Sequence, residues 1–194
     1  LVLDRSDILL VRAVKKLTKD DLHVLLQSQT FGLADVPPLS RLFCLATDIL
    51  VHLFGYPWVF NNIFGQRPLD DFLRSNPLSS EDNFKSTDRC VELAEILFNL
   101  QRVAGVETLL DSIKRKTVES NVAELQSAKL LYFNDIPFSF NVPTGKKTRD
   151  FDALATVGKL KIPCEFKCKL ESTNYSKNTI KQVLSDARKQ WPKE

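Results

Sequence analysis

The sequence predicts an α+β protein, with an all-helical front followed by a helix, three strands and a helix. Two observations carry this. Apolar residues recur at helical spacing through the first two-thirds of the chain. After Asn134 the rhythm changes to alternation, with turn residues between short apolar runs. The charge also changes sign along the chain. Up to residue 113 there are 11 Lys+Arg against 15 Asp+Glu, a balance of −4, and from Lys114 onward 16 against 9, a balance of +7. The change of rhythm divides the chain into a helical recognition or regulatory part at 1–116 and a second part at 117–194, and the basic excess from Lys114 onward suggests that the back half meets an anionic partner.

Asp4–Leu17 carries Ile8, Leu9, Val11, Val14 and Leu17 and is expected to be helical. Thr18-Lys-Asp-Asp21 then reads as a capping signal for a second helix through Val24, Leu25 and Leu26. Pro37-Pro38 opens a third helix that runs to about Gly55. Short helices are expected near Trp58–Phe64 and Pro68–Ser75, a polar loop at Ser75–Lys85, a long helix over about Thr87–Val103 stopped near Gly105, and further helix from Glu107 to about Asn134. The strands are expected at Pro137–Val142, Arg149–Val157 and Leu160–Lys169, joined by the turns Pro143–Thr148 and Gly158-Lys159. A last helix follows from Lys177 to about Gln190.

With 194 residues, 43% of them hydrophobic and 26% charged, the composition excludes a disordered tail, a fibrous repeat and an ordinary membrane protein. The apolar stretch Leu42–Phe60 is interrupted by Asp48, His52, Gly55 and Pro57, so a buried helix is expected there rather than a membrane span. The aromatic-rich stretch Phe54–Phe64 is expected in the core or at a domain interface. The cysteines at 44, 90, 164 and 168 are too scattered for a disulfide scaffold. Cys164 and Cys168 lack the second pair a zinc site needs, and a reducing, cytoplasmic setting is expected. The opening residues do not read as a signal peptide, and the lack of any Met suggests a piece of something longer. The two histidines, His23 and His52, lie in apolar helical stretches and leave no histidine-based hydrolase to propose.

The third strand carries the chemistry. Alternation puts Ile162, Cys164, Phe166 and Cys168 on one face and Lys161, Glu165, Lys167 and Lys169 on the other. On the second strand Phe151, Ala153, Ala155 and Val157 form the apolar face. The tight turn makes the two strands antiparallel neighbours, so Asp152 can sit beside Glu165 and Lys167. Two carboxylates can hold Mg²⁺ or Mn²⁺ through hard oxygen ligands, with the backbone carbonyl of Phe166 a further ligand. Such an ion polarises a phosphoryl group and lowers the pKa of bound water, while a lysine orients that water. A solvated strand face, with Asp150 and Asp152 pairing to lysines, is the plainer alternative.

The pattern Asp152…Glu165-Phe166-Lys167 resembles the PD-(D/E)xK nuclease superfamily, over roughly Thr117–Gln190. No other Glu-x-Lys occurs in the chain. The resemblance implies a restriction-endonuclease-like α-β-β-β-α core, with Asp152, Glu165 and Lys167 catalytic and Mg²⁺ or Mn²⁺ as cofactor. It implies a further metal-binding Glu on the leading helix, with Glu124 the better candidate and Glu119 the second. It also brings Lys181 or Gln182, on the helix after the third strand, near the site. Phe151 stands where the family name has Pro, and no stretch after Gln190 is long enough for the family's final strand. Lys146, Lys147 and Arg149 lead into Asp150 and suit either phosphate contact or solvation. The expected function is metal-dependent phosphodiester hydrolysis, most simply as a DNA endonuclease, with DNA as partner, a possible homodimer or larger assembly, and no membrane. The alternative is a catalytically inactive nucleic-acid-binding or protein-interaction module of the same fold.

Overall fold

The computed structural model describes residues 16–30, 37–65, 72–73, 79–116, 118–142 and 151–166, together with positions 181, 185 and 188. Six helices and a three-stranded antiparallel sheet occupy these stretches: α1 Lys19–Thr30, α2 Pro38–Phe54, α3 Tyr56–Val59 (continued by a π-helical turn, Phe60–Phe64), α4 Ser80–Leu100, α5 Val106–Arg115, α6 Val118–Phe133, β1 Phe138–Phe140, β2 Ala153–Val157 and β3 Leu160–Cys164. The expected α+β class is therefore observed. Expectations for residues 4–15, 66–71, 74–78, 143–150 and 167–180 lie outside the described residues. Of the expected last helix, Lys181, Ser185 and Arg188 are described; they are helical and exposed.

Local chemistry starts the helices where the sequence expects it. Thr18 and Asp21 form a reciprocal cap on α1: the Asp21 N–H donates to Thr18 Oγ1 (3.1 Å) and the Thr18 N–H donates to Asp21 Oδ2 (2.7 Å). Pro38 occupies the first position of α2, where its missing N–H costs nothing, and the helix stops at Gly55. Two boundaries differ from expectation. The stretch read as a polar loop to Lys85 is helical from Ser80, because Ser79 Oγ accepts the Asp82 N–H (3.2 Å) and Glu81 and Asp82 favour the positive end of the helix. The continuous helix expected from Glu107 to Asn134 is two helices, broken at Lys116, whose backbone is extended (φ −113°, ψ −169°).

The helices bury one stripe each. Ala46, Ile49, Leu50 and Leu53 of α2 face α4, which buries Cys90, Leu93, Ala94, Leu97 and Leu100. Burial pushes the Cys90 thiol up to about 12, so it behaves as a small apolar side chain. The same cluster continues through Val106, Leu109 and Ile113 of α5 and Val118, Leu125 and Ala128 of α6 to Phe140 of β1, on both sides of residue 116. Gln101 ties Leu17 to the end of α4: its side chain accepts the Leu17 N–H (2.7 Å) and donates to the Leu17 carbonyl (2.9 Å). The aromatic stretch is only partly core. Trp58 packs on Phe54, but Tyr56, Phe60 and Phe64 are exposed.

The sheet has the order β1-β2-β3. Phe138 pairs with Ala155 and Phe140 with Ala153 across β1–β2; Ala153 pairs with Cys164 and Leu154 with Pro163 across β2–β3. Its apolar face is buried only toward one end, at Ala153 and Ala155. Near the Gly158 turn, Val157, Leu160 and Ile162 are exposed, and Cys164 and Phe166 are only half-buried, so the core face expected of the third strand is not observed among the described residues. The sheet joins the helices at one close approach. The Phe140 N–H donates to the Ala104 carbonyl (2.8 Å), and Gly105 has φ +80° with Phe140 O only 2.3 Å from where a Cβ would stand.

Two outcomes follow from this packing. Gly105→Ala meets both a left-handed backbone and a backbone oxygen, so it should cost about 3 kcal/mol, beyond the about 1–2 kcal/mol of the backbone conformation alone. Gly158→Ala, at φ +60° with open space around it, should lose only the latter amount in urea unfolding. Between α4 and α6, Gln126 hydrogen-bonds Glu92 (3.0 Å) and Lys129 lies 3.2 Å from it, which together hold the Glu92 carboxyl below its usual range. The unfolded chain then binds the proton more readily, so this contribution is full above the ordinary carboxylate pKa and is lost as pH falls through the lowered folded value. The urea midpoint of Glu92→Gln should therefore lie below wild type at pH 7, and the gap should close on acidification below about pH 4.

Candidate metal and phosphate site

Asp152 stands where three chain segments meet. It lies one residue before β2, and the backbone bends there. Its carbonyl accepts the Asn141 N–H from beyond β1 (3.0 Å), while its own N–H donates to the Cys164 carbonyl on β3 (2.9 Å). Its side chain closes the arrangement, with Oδ2 accepting the Phe166 N–H (2.5 Å). The Asp152 carboxylate thus takes the place of a β2 carbonyl as partner for the departing chain. The third strand, expected to reach Lys169, leaves the ladder after Cys164, and Glu165 and Phe166 lie beyond it.

Glu165 is also one residue past the last register pair, Ala153–Cys164, so Asp152 and Glu165 leave neighbouring strands at the same end of the sheet. Glu165 Oε2 is shut off from solvent. A carboxylate has about four lone-pair sites, so the bond to Phe166 does not exhaust Asp152 as a ligand.

The two sides of α6 have different duties. Gln126 and Lys129 face α4 through Glu92. Glu124, two residues earlier and so about 200° around the helix from Gln126, faces the other way. There it lines a cleft of about 410 Å³ with Asp152. Glu119, about 140° further around, is not among the lining residues. The remaining walls come from Phe140, Asn141 and Phe151 at the strand ends, and from Thr108, Leu109, Ser112, Arg115 and Lys116 of α5 and its C-cap. Glu165 does not line this cleft, nor does either histidine.

The structure therefore brings Asp152 and Glu124 to one cleft, and Asp152 and Glu165 to one end of the sheet. Among the described residues it gathers no group of three His, Cys, Asp or Glu side chains that could hold a metal. Lys167, Lys146, Lys147, Arg149 and Gln182 lie outside the described residues, and Lys181 is helical and exposed. Sequence reasoning did not single out Arg115 and Lys116. Their signal was the change of charge balance that begins at Lys114. Among the described residues no helix is long and apolar enough to cross a membrane.

The Asp152 side chain has a structural duty that can be separated from any chemical one. Asp152→Ala strands the Phe166 N–H and should lower stability by about 1–2 kcal/mol in urea unfolding. Asp152→Asn, which keeps an acceptor oxygen but loses the charge, should recover most of that difference. Comparison of the chain with family models, with curated proteins and with solved structures finds no match.

Proposed function

We propose that the chain is a metal-dependent nuclease of PD-(D/E)xK type that hydrolyses phosphodiester bonds, most simply in DNA. The observation that carries this reading is the position of Asp152, which departs from the sheet beside Glu165 and shares a cleft with Glu124. Asp152 and Glu165 would hold Mg²⁺ or Mn²⁺, with the Phe166 carbonyl and Glu124 as further oxygen donors. Hard carboxylate and carbonyl oxygens are the donor set these ions prefer. When bound, the ion supplies Lewis-acid polarisation of the phosphoryl group and a water of lowered pKa.

The protein's own part is positional. The three backbone and side-chain bonds at Asp152 hold its carboxylate on a rigid sheet end, so it needs little reorganisation to take up charge. Lys167 would orient the attacking water and offset charge on the phosphate. The succession of α6 and the β1-β2-β3 meander supports the reading, because such nucleases would need a helix followed by three antiparallel strands.

One observation favours the alternative, a nucleic-acid-binding or protein-interaction module without catalysis: Asp152 already serves as a backbone acceptor. The readings separate on a panel of linear, supercoiled, branched and single-stranded DNA and of RNA, incubated with Mg²⁺, Mn²⁺ or EDTA. The nuclease should cut in Mg²⁺ or Mn²⁺ and not in EDTA. Asp152→Asn and Lys167→Ala should each reduce the rate at least about a hundredfold while leaving the fold intact by circular dichroism. Isothermal titration with Mn²⁺ should show stoichiometric binding that Asp152→Asn weakens. Cutting at the wild-type rate by Lys167→Ala, or no Mn²⁺ binding, would sink the catalytic reading.

A further inference from the structure

Lys114, Arg115 and Lys116 are consecutive cations at the end of α5, but they point to different tasks. Lys114, itself exposed, sits with its Nζ over the Phe54 ring, 5.9 Å from the centroid. Arg115 and Lys116 are exposed and line the cleft that holds Asp152 and Glu124. A cation at a helix C-terminus needs no special explanation, because it complements the helix dipole, as both Lys114 and Arg115 do, and Arg115 Nε also donates to the Asp111 carbonyl (3.2 Å). That role does not explain what lies beside Arg115 and Lys116. Thr108 and Ser112 of the same helix line the same cleft, at i and i+4, with Arg115 at i+7. Hydroxyl and cationic side chains in one row are the groups that bind phosphate oxygens of a nucleic-acid backbone. Across the cleft stand two carboxylates, which would repel a small anion occupying the whole space. An extended polyanion can lay one phosphate against the α5 row while its neighbour lies over Asp152 and Glu124.

We propose that the α5 row Thr108–Ser112–Arg115–Lys116 is a phosphate grip that binds a polynucleotide backbone and presents it to the carboxylate side of the cleft. This rests on the nuclease reading for its purpose but not for its test. The grip makes the helical front part of the substrate site instead of a separate recognition unit.

The test is binding without cleavage, in EDTA, of a labelled 20-base-pair DNA duplex, the corresponding single strand and an RNA of the same sequence, by fluorescence anisotropy across a salt series. Each phosphate contact contributes about 0.9 to the salt slope on duplex and about 0.7 on single strands. Arg115→Gln/Lys116→Gln should therefore reduce the slope on duplex by about 1.8 and weaken binding roughly tenfold or more. The polymer showing the largest loss is the ligand. Lys114→Gln, the loss of one charge at a neighbouring position that does not line the cleft, should leave slope and affinity close to wild type. The grip is overturned if the double variant binds all three polymers as wild type does, if Lys114→Gln loses as much, or if wild type binds none of them. The nuclease reading fails on a different result, namely no stoichiometric Mn²⁺ binding or cutting at the wild-type rate by Lys167→Ala.

Discussion

The architecture depends on the contact between the turn after α4 and the strand β1. The Phe140 N–H reaches the Ala104 carbonyl, and Phe140 O presses against Gly105 closely enough that no side chain fits. This fixes the height of β1 against the helices. Register then carries the constraint outward, through Phe140–Ala153 to β2 and through Ala153–Cys164 to β3. Asp152 is adjacent to the residue that shares both pairings. Its position relative to α5 is therefore set by a short chain of backbone contacts, with few soft side-chain links.

That economy explains how a small sheet can support a site. Three strands of three to five residues bury little apolar surface alone, and most of the core belongs to α2, α4, α5 and α6. The sheet's contribution is directional. It turns the ends of β1 and β2 toward α5, while Glu92, Gln126 and Lys129 fix the rotation of α6 so that Glu124 faces the same space. Acidic and basic walls then come from different elements, α6 and the start of β2 on one side and the end of α5 on the other.

Features decided locally were legible in the sequence. The Thr18–Asp21 cap, the Pro37-Pro38 start and the Gly55 stop of α2, and the alternation of β2 each rest on a few neighbouring residues. The Ser79 cap was equally local, but the polar run around it resembles a loop. The break at Lys116 was not legible, because Glu107–Asn134 is continuously compatible with helix and only packing against β1 and α4 decides where it ends. Likewise, Asp152 was marked by residue type and spacing. Its bond to the Phe166 N–H, which ends β3 early, depends on side-chain direction, and strand periodicity carries no information about that. Arg115 and Lys116 read as ordinary helix-end cations until α5 is placed beside the strand ends.

Pro163 gives the sheet a property that concerns neighbouring molecules more than the site. The Thr156 N–H turns toward the first strand, donating to the Pro137 carbonyl (2.7 Å), so Ala153, Ala155 and Val157 direct their backbone groups to β3. Their partners Cys164, Ile162 and Leu160 point back, which leaves Pro163 and Lys161 on the outer edge. That edge lacks a donor at Pro163 and carries an ammonium at Lys161. It runs beside the exposed Val157, Leu160 and Ile162, an apolar tip that would otherwise invite strand-to-strand association between chains. Among the described residues, the β3 edge is thus a poor template for strand addition at the point where the hairpin's apolar tip meets solvent.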